Sequence, residues 1–270
     1  MDFTCTKYKE LLLALQQGGY TFLTMEQYCD KRASNMLPAR FVIMRHDVDL
    51  RAKNSLRVAE IEHSLGVKAS YYFRIVPESN QPDVIRAIAA LGHEVGYHYE
   101  DMSVVNGDVD KAYEHFQTAL AYFRTYYPVR TVCMHGAPTS RYDGRDLWRK
   151  YDYRALGLVG EPYFDVDFDS VFYLTDTGRC WDGYRYSVRD KVAQQDRWIE
   201  EGRVFHTTDQ LIRWFTGPIQ GQMVHCPMVN ALMITTHPQR WTGNPLLWLR
   251  EWAMQNVKNQ IKRILIWQSR

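Results

Sequence analysis

Cysteine is scarce in this chain, and long apolar runs are absent. The 5 cysteines are widely spaced and form no Cys-x-x-Cys pair, which favours a reducing compartment over a disulfide framework. No basic leader precedes the apolar run Leu11–Leu15, and that run is too short for a signal-peptide core or a membrane span. We therefore expect a cytoplasmic protein without a membrane-spanning segment.

A strong charge of either sign is lacking as well. The formal net charge is +2, with acidic and basic residues interspersed, which argues against a surface for a nucleic-acid polymer and against a disordered tail. Neither a Gly-Ser linker nor an internal repeat divides the 270 residues. We expect one domain over residues 1–270, with an N-terminal helical extension at 1–38 and a C-terminal helix at 245–270.

The sequence does contain a repeated alternation of strand-like and helix-like segments. Apolar runs end in polar residues, and helical periodicities follow them with start signals at Asn54, Pro82 and Asp108. This alternation predicts an α/β protein with a mostly parallel sheet, and closing about seven or eight such units gives a barrel. The carboxyl ends of the strands then share one rim, where the sites of barrel enzymes lie.

The stretch Phe41–Leu50 gives the first indication of such a site. Its four apolar residues are followed directly by the sequence RHDVD. Strand alternation places Asp47 and Asp49 on one face, roughly 6.5 to 7 Å apart along the backbone. One carboxylate can then hold a metal ion while the other moves a proton. Asp-x-Asp also occurs in turns, where the side chains cap backbone amides, so the other strand ends decide between the two interpretations.

Histidines end three other apolar runs and belong to the same predicted rim. Asp49, His98 and His135 form an Asp-His-His set, which suits an open site for zinc or a related divalent ion. Glu100, two residues after His98, is a further candidate ligand. His237 ends the last predicted strand and is a candidate acid.

Two further groups of residues are weighed against this site. Asp176, Arg179 and Trp181 follow another strand-like run and are predicted to reach the site, where they bind substrate or orient the base. Segment 164–170, FDVDFDS, is a rival acidic set for a cation. It has no histidine beside it, so we expect solvated loop acids there.

The motifs resemble the polysaccharide deacetylase superfamily, carbohydrate esterase family 4, which includes chitooligosaccharide and peptidoglycan deacetylases. RHDVD resembles the first family motif, and ASYYFRI resembles its Ala-Thr-Phe-Phe strand. GHEVGYH resembles the Gly-His-Glu-Ile-Gly-x-His segment, and MITTHP resembles the last Leu-x-His motif. The resemblance spans most of the chain in matching order, and GHEVGYH is its most specific piece.

The resemblance implies both a fold and a division of labour. The implied fold is a distorted, incomplete (β/α) barrel, which we expect to have about seven strands. Asp47 is implied to be the general base, Asp49 and His98 to be ligands of a divalent metal, most simply zinc, and His237 to be the acid that protonates the leaving amine. This agrees with the chemistry of metal-assisted amide hydrolysis.

The chain departs from the family pattern at two places. The family's second histidine ligand follows the first by four residues, where this chain has Met102, so His135 or Glu100 must replace it. The family's third motif carries an arginine before prolines, whereas this chain reads CMHGAP. The usual partner of the base is therefore altered as well. Arg45, Arg74 and Arg179 are the candidates for a substitute.

These departures and the missing export signal resemble the deacetylase-like proteins encoded in bacterial O-antigen and other surface-polysaccharide gene clusters. We therefore predict a metal-dependent hydrolase that removes an acyl group, with acetyl as the expected group, from a nucleotide-linked or lipid-linked N-acylated sugar precursor. The alternative, motivated by Met102, is a degenerate barrel that binds a glycan or a biosynthetic partner without chemistry. A weaker alternative keeps the metal and hydrolyses a non-sugar amide.

Overall fold

The computed structural model of the protein describes residues 1–136, 140–183, 192–217 and 228–268, with side chains described as far as residue 260, and its centre is a seven-stranded sheet. All neighbouring strands in the sheet are parallel. The strands are β1 (Thr21–Leu23), β2 (Phe41–Val48), β3 (Ser70–Phe73), β4 (Glu94–Tyr99), β5 (Val132–Met134), β6 (Phe172–Thr175) and β7 (Ala231–Thr236).

The strand order is β5-β4-β3-β2-β7-β6, and β1 pairs with the first half of β2. The sheet curls into a half-barrel, and within the described residues β5 and β6 do not pair, so the barrel stays open between them. The predicted α/β fold, a distorted and incomplete (β/α) barrel of about seven strands, is confirmed. All strands run the same way, so their carboxyl ends lie at one rim.

Helices connect the strands and cover the sheet. The described α-helices are α1 (Cys5–Gln17), α2 (Met25–Ala33), α3 (Ala52–Ser64), α4 (Pro82–Ala90), α5 (Asp101–Val104), α6 (Val109–Arg124), α7 (Pro162–Asp165), α8 (Gln195–Glu200), α9 (Thr208–Thr216) and α10 (Pro245–Gln268). Short 3-10 helices lie at Gly144–Arg149, Tyr153–Leu156 and Pro238–Arg240. None of the helices in the described ranges is long and apolar enough to cross a membrane.

The predicted helix starts are confirmed at two positions and wrong at a third. Pro82 occupies the first turn of α4, and the Asp108 side chain accepts a hydrogen bond from the Lys111 backbone at the start of α6. Asn54 is not the N-cap of α3, because the chain turns earlier, at Arg51, whose φ of 53° is left-handed. Asn54 therefore lies inside the first turn.

β1 and α2 lie within the N-terminal extension at 1–38 and were not predicted as separate elements. The signal for α2 was present, because Thr24 and Gln27 form a reciprocal capping box at its start. β1 has only three residues, which is too short for a period of two to be recognised. Both elements lie beside the first half of β2.

β2 is buried along its whole length and is held by a polar network on the side of His46. The His46 ring contacts Glu62 Oε1 at 2.8 Å through Nε2 and Thr236 Oγ1 at 2.7 Å through Nδ1. The Tyr8 and Tyr71 hydroxyls each donate to the Glu62 carboxylate at 2.5 Å. Because side chains alternate along a strand, this network anchors β2 from the face opposite Asp47.

Gly96 in β4 is required by close packing at its Cβ position. A Cβ there would meet the Tyr72 ring and would lie 2.8 Å from the Thr131 carbonyl oxygen. The missing side chain lets Tyr72 cross β4 from β3 and bond to the Thr131 hydroxyl at 2.8 Å. The glycine in GHEVGYH therefore has a packing role, and the next residue on the same face of β4 is His98.

Candidate metal centre

Three side chains from different strand ends converge on one point at the rim of the barrel. His98 Nε2 lies 3.6 Å from Asp49 Oδ1 and 3.3 Å from His135 Nδ1. His135 Nδ1 lies 3.2 Å from the same Asp49 oxygen. These three atoms form a nearly equilateral triangle, which we call the ligand triangle.

The size of the ligand triangle fits a tetrahedral metal site. Bonds of about 2.0 to 2.1 Å at tetrahedral angles place neighbouring ligand atoms about 3.3 Å apart, close to the distances of 3.2, 3.3 and 3.6 Å within the triangle. Asp49 Oδ1 is buried and accepts no hydrogen bond within the described part of the chain. One carboxylate and two imidazoles suit a divalent ion such as zinc and leave a fourth position open.

The protonation states of two members also suit metal binding. His98 Nδ1 lies 2.9 Å from the Cys133 carbonyl oxygen, to which it donates, so Nε2 carries the lone pair that faces the triangle. Burial lowers the pKa of His98 to about 4, so the ring is neutral at pH 7. Burial would raise the pKa of Asp49, but His135 and the other nearby imidazoles hold it well below its usual range. Asp49 is therefore ionised.

Glu100, the alternative third ligand, lies outside the ligand triangle. Arg74 donates to Glu100 Oε1 through Nε at 2.9 Å and through Nη2 at 2.6 Å. The other carboxylate oxygen of Glu100 is 3.9 Å from His135 Nε2, the ring nitrogen that does not belong to the triangle. Met102, at the family's second histidine position, is buried in the hydrophobic core. The geometry therefore favours His135 over Glu100.

Arg45 is the arginine that contacts the candidate base. Its Nε and Nη2 donate to the two carboxylate oxygens of Asp47 at 2.8 and 2.7 Å, and both side chains are buried. Burial would raise the pKa of Asp47, but the Arg45 guanidinium and His98 outweigh it, so the pKa lies below its usual value. Asp47 Oδ2 is 3.6 Å from His98 Nε2. An ionised carboxylate thus lies beside the triangle.

His237, the candidate acid, lies on another side of the triangle, with Nε2 3.8 Å from Asp49 Oδ2. Its Nδ1 lies 2.6 Å from Asp176 Oδ1, and its backbone N–H also donates to that carboxylate. Burial and Arg240 lower the pKa of His237, but Asp176 outweighs them and raises it above its usual value. The His237 ring is therefore protonated more readily than a free imidazole.

Several residues around the acid were missed by the sequence interpretation. Arg240 Nη1 donates to Asp176 Oδ1 at 2.5 Å, and Trp241 Nε1 donates to Oδ2 at 2.8 Å. Gln239 Nε2 lies 3.4 Å from Asp49 Oδ2. All three follow His237 directly in the sequence PQRW, so proximity to the last motif was the available signal.

Two of the predicted substrate-binding residues lie away from the triangle. Trp181 is buried, and its indole N–H donates to the Thr208 hydroxyl at 2.9 Å. Arg179 Nη1 donates to the Trp248 carbonyl oxygen at 3.0 Å. The third, Asp176, lies beside His237 as described above.

The rival acidic segment is used in structural contacts. Asp165 pairs with Arg154 at 2.6 Å, and Asp169 lies 3.4 Å from Arg197. Asp167 accepts a hydrogen bond from the Ser170 hydroxyl at 2.9 Å. Among the described side chains, the groups that could hold a metal ion include none of these three aspartates.

Another buried carboxyl group, that of Glu161, supports the end of β5 from which His135 emerges. It accepts hydrogen bonds from the Met134 backbone at 3.0 Å and from the Tyr163 backbone at 2.6 Å. Burial raises the pKa of Glu161 to about 7. The sequence interpretation did not identify this residue, because a glutamate between apolar segments gives no sign of burial.

Glu161→Gln is expected to gain stability relative to the wild type as the pH rises from about 4.5 to about 7. Over this range the folded protein binds more protons than the unfolded chain, so the stability of the wild type falls with rising pH. Between these two pH values the stability of Glu161→Gln relative to the wild type rises by up to about 3 kcal/mol, since one pKa unit corresponds to about 1.36 kcal/mol. Urea unfolding across this range measures it, with the exposed Glu114→Gln as control. A difference in stability between the two proteins that does not change with pH would contradict the raised pKa of Glu161.

Comparison with known proteins gives only distant similarities. No protein-family model matches the chain, and no curated protein matches it. Among solved structures, IcaB from Ammonifex degensii has a TM-score of 0.44 and 17% identity over 54% of this chain and 72% of that chain. A mutant of BA3943, described as a CE4 family pseudoenzyme with restored enzymatic activity, has a TM-score of 0.43 and 12% identity over 84% of this chain and 68% of that chain. The family of this chain therefore remains a prediction from its motifs.

Proposed function

We propose that the protein hydrolyses the N-acyl amide of an amino sugar, with a divalent ion held by Asp49, His98 and His135. The observation that carries this proposal is the ligand triangle, with sides of 3.2, 3.3 and 3.6 Å, beside an ionised carboxylate and a carboxylate-bound imidazole. The ion supplies a Lewis acid that polarises the amide carbonyl and lowers the pKa of water.

Asp47 is the base in this proposal. Its carboxylate takes a proton from the attacking water, whose oxygen forms the new bond to the carbonyl carbon. Arg45 holds both carboxylate oxygens and keeps the group ionised. Because Arg45 lies two residues before Asp47 on one strand, it takes the place of the arginine that the family carries in its third motif.

His237 is the acid in this proposal. As the carbon–nitrogen bond breaks, the His237 ring gives its proton to the leaving nitrogen, so the products are a free amine and a carboxylic acid. Asp176 fixes the ring through Nδ1 at 2.6 Å and leaves Nε2 facing the site. The base and the acid lie next to different members of the triangle, Asp47 beside His98 and His237 beside Asp49.

Asp176→Asn is expected to lower kcat by about 10²-fold or more and to move the alkaline limb of the pH profile to lower pH. The carboxylate of Asp176 raises the pKa of His237, so an acid that loses this partner deprotonates at lower pH. The measurement is kcat across the pH range at constant metal loading. An unchanged alkaline limb in a folded variant would show that His237 is not the titrating acid.

The substrate class in this proposal comes from the motif resemblance. We propose an N-acetylated sugar precursor, linked to a nucleotide or a lipid, in the synthesis of a bacterial surface polysaccharide such as O-antigen. We propose zinc as the ion, because the triangle combines two imidazoles with one carboxylate. A cytoplasmic location fits such a precursor and is part of the same proposal.

The test uses purified protein that is stripped of metal, reloaded with zinc and offered N-acetylated sugar precursors. The expected result is acetate released in equal amount to free amine, only after reloading. Protein with one bound zinc ion that releases acetate from none of the precursors would refute the hydrolase.

The second candidate is a degenerate barrel that binds a glycan or a biosynthetic partner without chemistry. Met102, buried at the position of a family ligand, is the observation that favours it. Metal analysis separates the two candidates. Purified protein without a stoichiometric divalent ion, together with glycan binding that His98→Ala leaves unchanged, would favour the binding protein.

A further inference from the structure

A cavity of about 280 Å³ lies outside the candidate metal centre, against the first half of α10. Its walls come from the first residues of the chain, from the loop after Asp176, from His206 and Thr207 at the start of α9, and from α10. No member of the ligand triangle lines it. The side chains that matter for its chemistry are Arg179, Trp248, Trp252 and Asn256, and we call this space the tryptophan cavity.

Two indole rings form an aromatic wall of the tryptophan cavity. Trp248 and Trp252 lie one helical turn apart, with ring centroids 6.5 Å apart and an angle of 7° between the ring planes. The Trp248 indole N–H is bonded to the Asp2 carbonyl oxygen at 2.7 Å, which fixes that ring. Trp252 is 48% exposed, although it is one of the largest apolar side chains. Such a ring is large and rigid, so it offers an apolar face to a ligand with little loss of side-chain conformational entropy.

Arg179 supplies a polar group with an unused donor. Its guanidinium lies over the Trp248 ring at 4.4 Å, and Nη1 donates to the Trp248 carbonyl oxygen. Nη2 is buried and has no hydrogen-bond partner among the residues that the structure describes. The backbone at Arg179 is left-handed, with φ of 61°, a conformation that costs energy for a residue with a side chain. Buried donors normally have partners, so this one points to an acceptor oxygen from a ligand.

The size and charge of the tryptophan cavity limit the ligand class. Ligand pockets span about 300 to 1,000 Å³, so 280 Å³ fits one small ring rather than a whole nucleotide. Three carboxylates, those of Glu251, Asp2 and Asp176, act on the Arg179 guanidinium, against one further cation, Arg240. A neutral ligand with many hydroxyl groups therefore fits better than a phosphate.

We propose that the tryptophan cavity binds one pyranose ring of a carbohydrate. The apolar face of the sugar packs on the indole of Trp252, and a hydroxyl oxygen accepts a hydrogen bond from Arg179 Nη2. The Asn256 amide, at the same wall, is available for further hydroxyl groups. This site is separate from the metal centre and does not depend on the proposed hydrolase.

The test is titration of the protein with glucose, N-acetylglucosamine and glucuronate, followed by tryptophan fluorescence and by the indole N–H signals in NMR spectra. The wild type is expected to show saturable binding of at least one neutral sugar. Trp252→Ala and Arg179→Met should each weaken that binding at least about tenfold, which corresponds to 1.4 kcal/mol. Leu249→Ala, which changes an exposed apolar residue of α10 outside the cavity, should bind as the wild type does.

Asp49→Asn separates the tryptophan cavity from the metal centre, because a sugar bound at the metal centre would be lost in that variant. Retained binding in Asp49→Asn supports the proposal, and lost binding places the sugar at the metal centre instead. Circular dichroism and a thermal unfolding midpoint check that each variant is folded. Absence of saturable binding by the wild type for all three sugars, or wild-type binding by folded Trp252→Ala, overturns the proposal. Displacement of the sugar by inorganic phosphate would also overturn it.

Discussion

Asp47→Asn is expected to lower kcat by about 10³-fold or more while the zinc content stays unchanged. Asparagine keeps the shape of the side chain but cannot take a proton from water, and Asp47 is not a member of the ligand triangle. Acetate release and metal content are measured on the same sample. The matched control is Asp169→Asn, which changes an exposed aspartate in the rival acidic segment and should leave kcat unchanged.

Stability must be measured with the same variant, because Asp47 neutralises buried Arg45. Removing one partner of a buried ion pair costs about 3 to 5 kcal/mol. The double variant Arg45→Met with Asp47→Asn removes the unpaired charge, so it gives a second folded protein for the same assay. A folded, metal-loaded variant with kcat within tenfold of the wild type would contradict the role of Asp47 as the base.

His135→Ala is expected to weaken zinc binding by more than about 100-fold. Loss of an outer partner of a metal ligand typically costs 10- to 100-fold in affinity, and loss of a direct ligand costs more. His135 Nδ1 lies 3.2 Å from Asp49 Oδ1 and 3.3 Å from His98 Nε2, and for this reason we propose it as a direct ligand. Competition with a chromophoric chelator measures the affinity.

Glu100→Gln is the matched control for this prediction, because Glu100 is the other candidate for the third ligand. Its carboxylate is held by Arg74 and approaches only the outer ring nitrogen of His135. We expect a change in zinc affinity well below that of His135→Ala. A larger loss of zinc affinity in Glu100→Gln than in His135→Ala would make Glu100 the third ligand in place of His135.

The part of the fold that the sequence predicts rests on local signals. Pro82 and Asp108 start helices by backbone chemistry that does not depend on the rest of the molecule, and both predictions are confirmed. Asn54 has the same local preference, but the left-handed turn at Arg51 starts α3 earlier. The left-handed turn after Asp49 therefore overrides the local capping preference of Asn54.

The candidate site could be predicted as a set of strand ends but not as a set of contacts. A parallel sheet brings Asp49, His98 and His135 to one rim whatever their side-chain conformations. Which of Arg45, Arg74 and Arg179 contacts Asp47 depends on the other pairings that each arginine makes. Arg45 reaches Asp47 along its own strand, whereas Arg74 is taken by Glu100. The pairing of Arg74 with Glu100 cannot be predicted from the sequence.

The contacts around His237 could not be predicted from the sequence for the same reason. Asp176 and Arg240 are 64 residues apart in sequence, and their contact depends on the packing of β6 against β7. The sequence places Asp176 at a strand end but does not identify its partner. Burial of Glu161, which raises its pKa, depends likewise on the packing around β5.

An anomalous difference map from crystals grown with zinc shows directly whether Asp49, His98 and His135 hold a metal ion. We predict one strong peak at the rim of the barrel, at about 2.0 to 2.2 Å from Asp49 Oδ1, His98 Nε2 and His135 Nδ1. A peak bound by Glu100 in place of His135 would correct the third ligand. Absence of a peak at the ligand triangle in zinc-saturated crystals would contradict the metal centre and the hydrolase that depends on it.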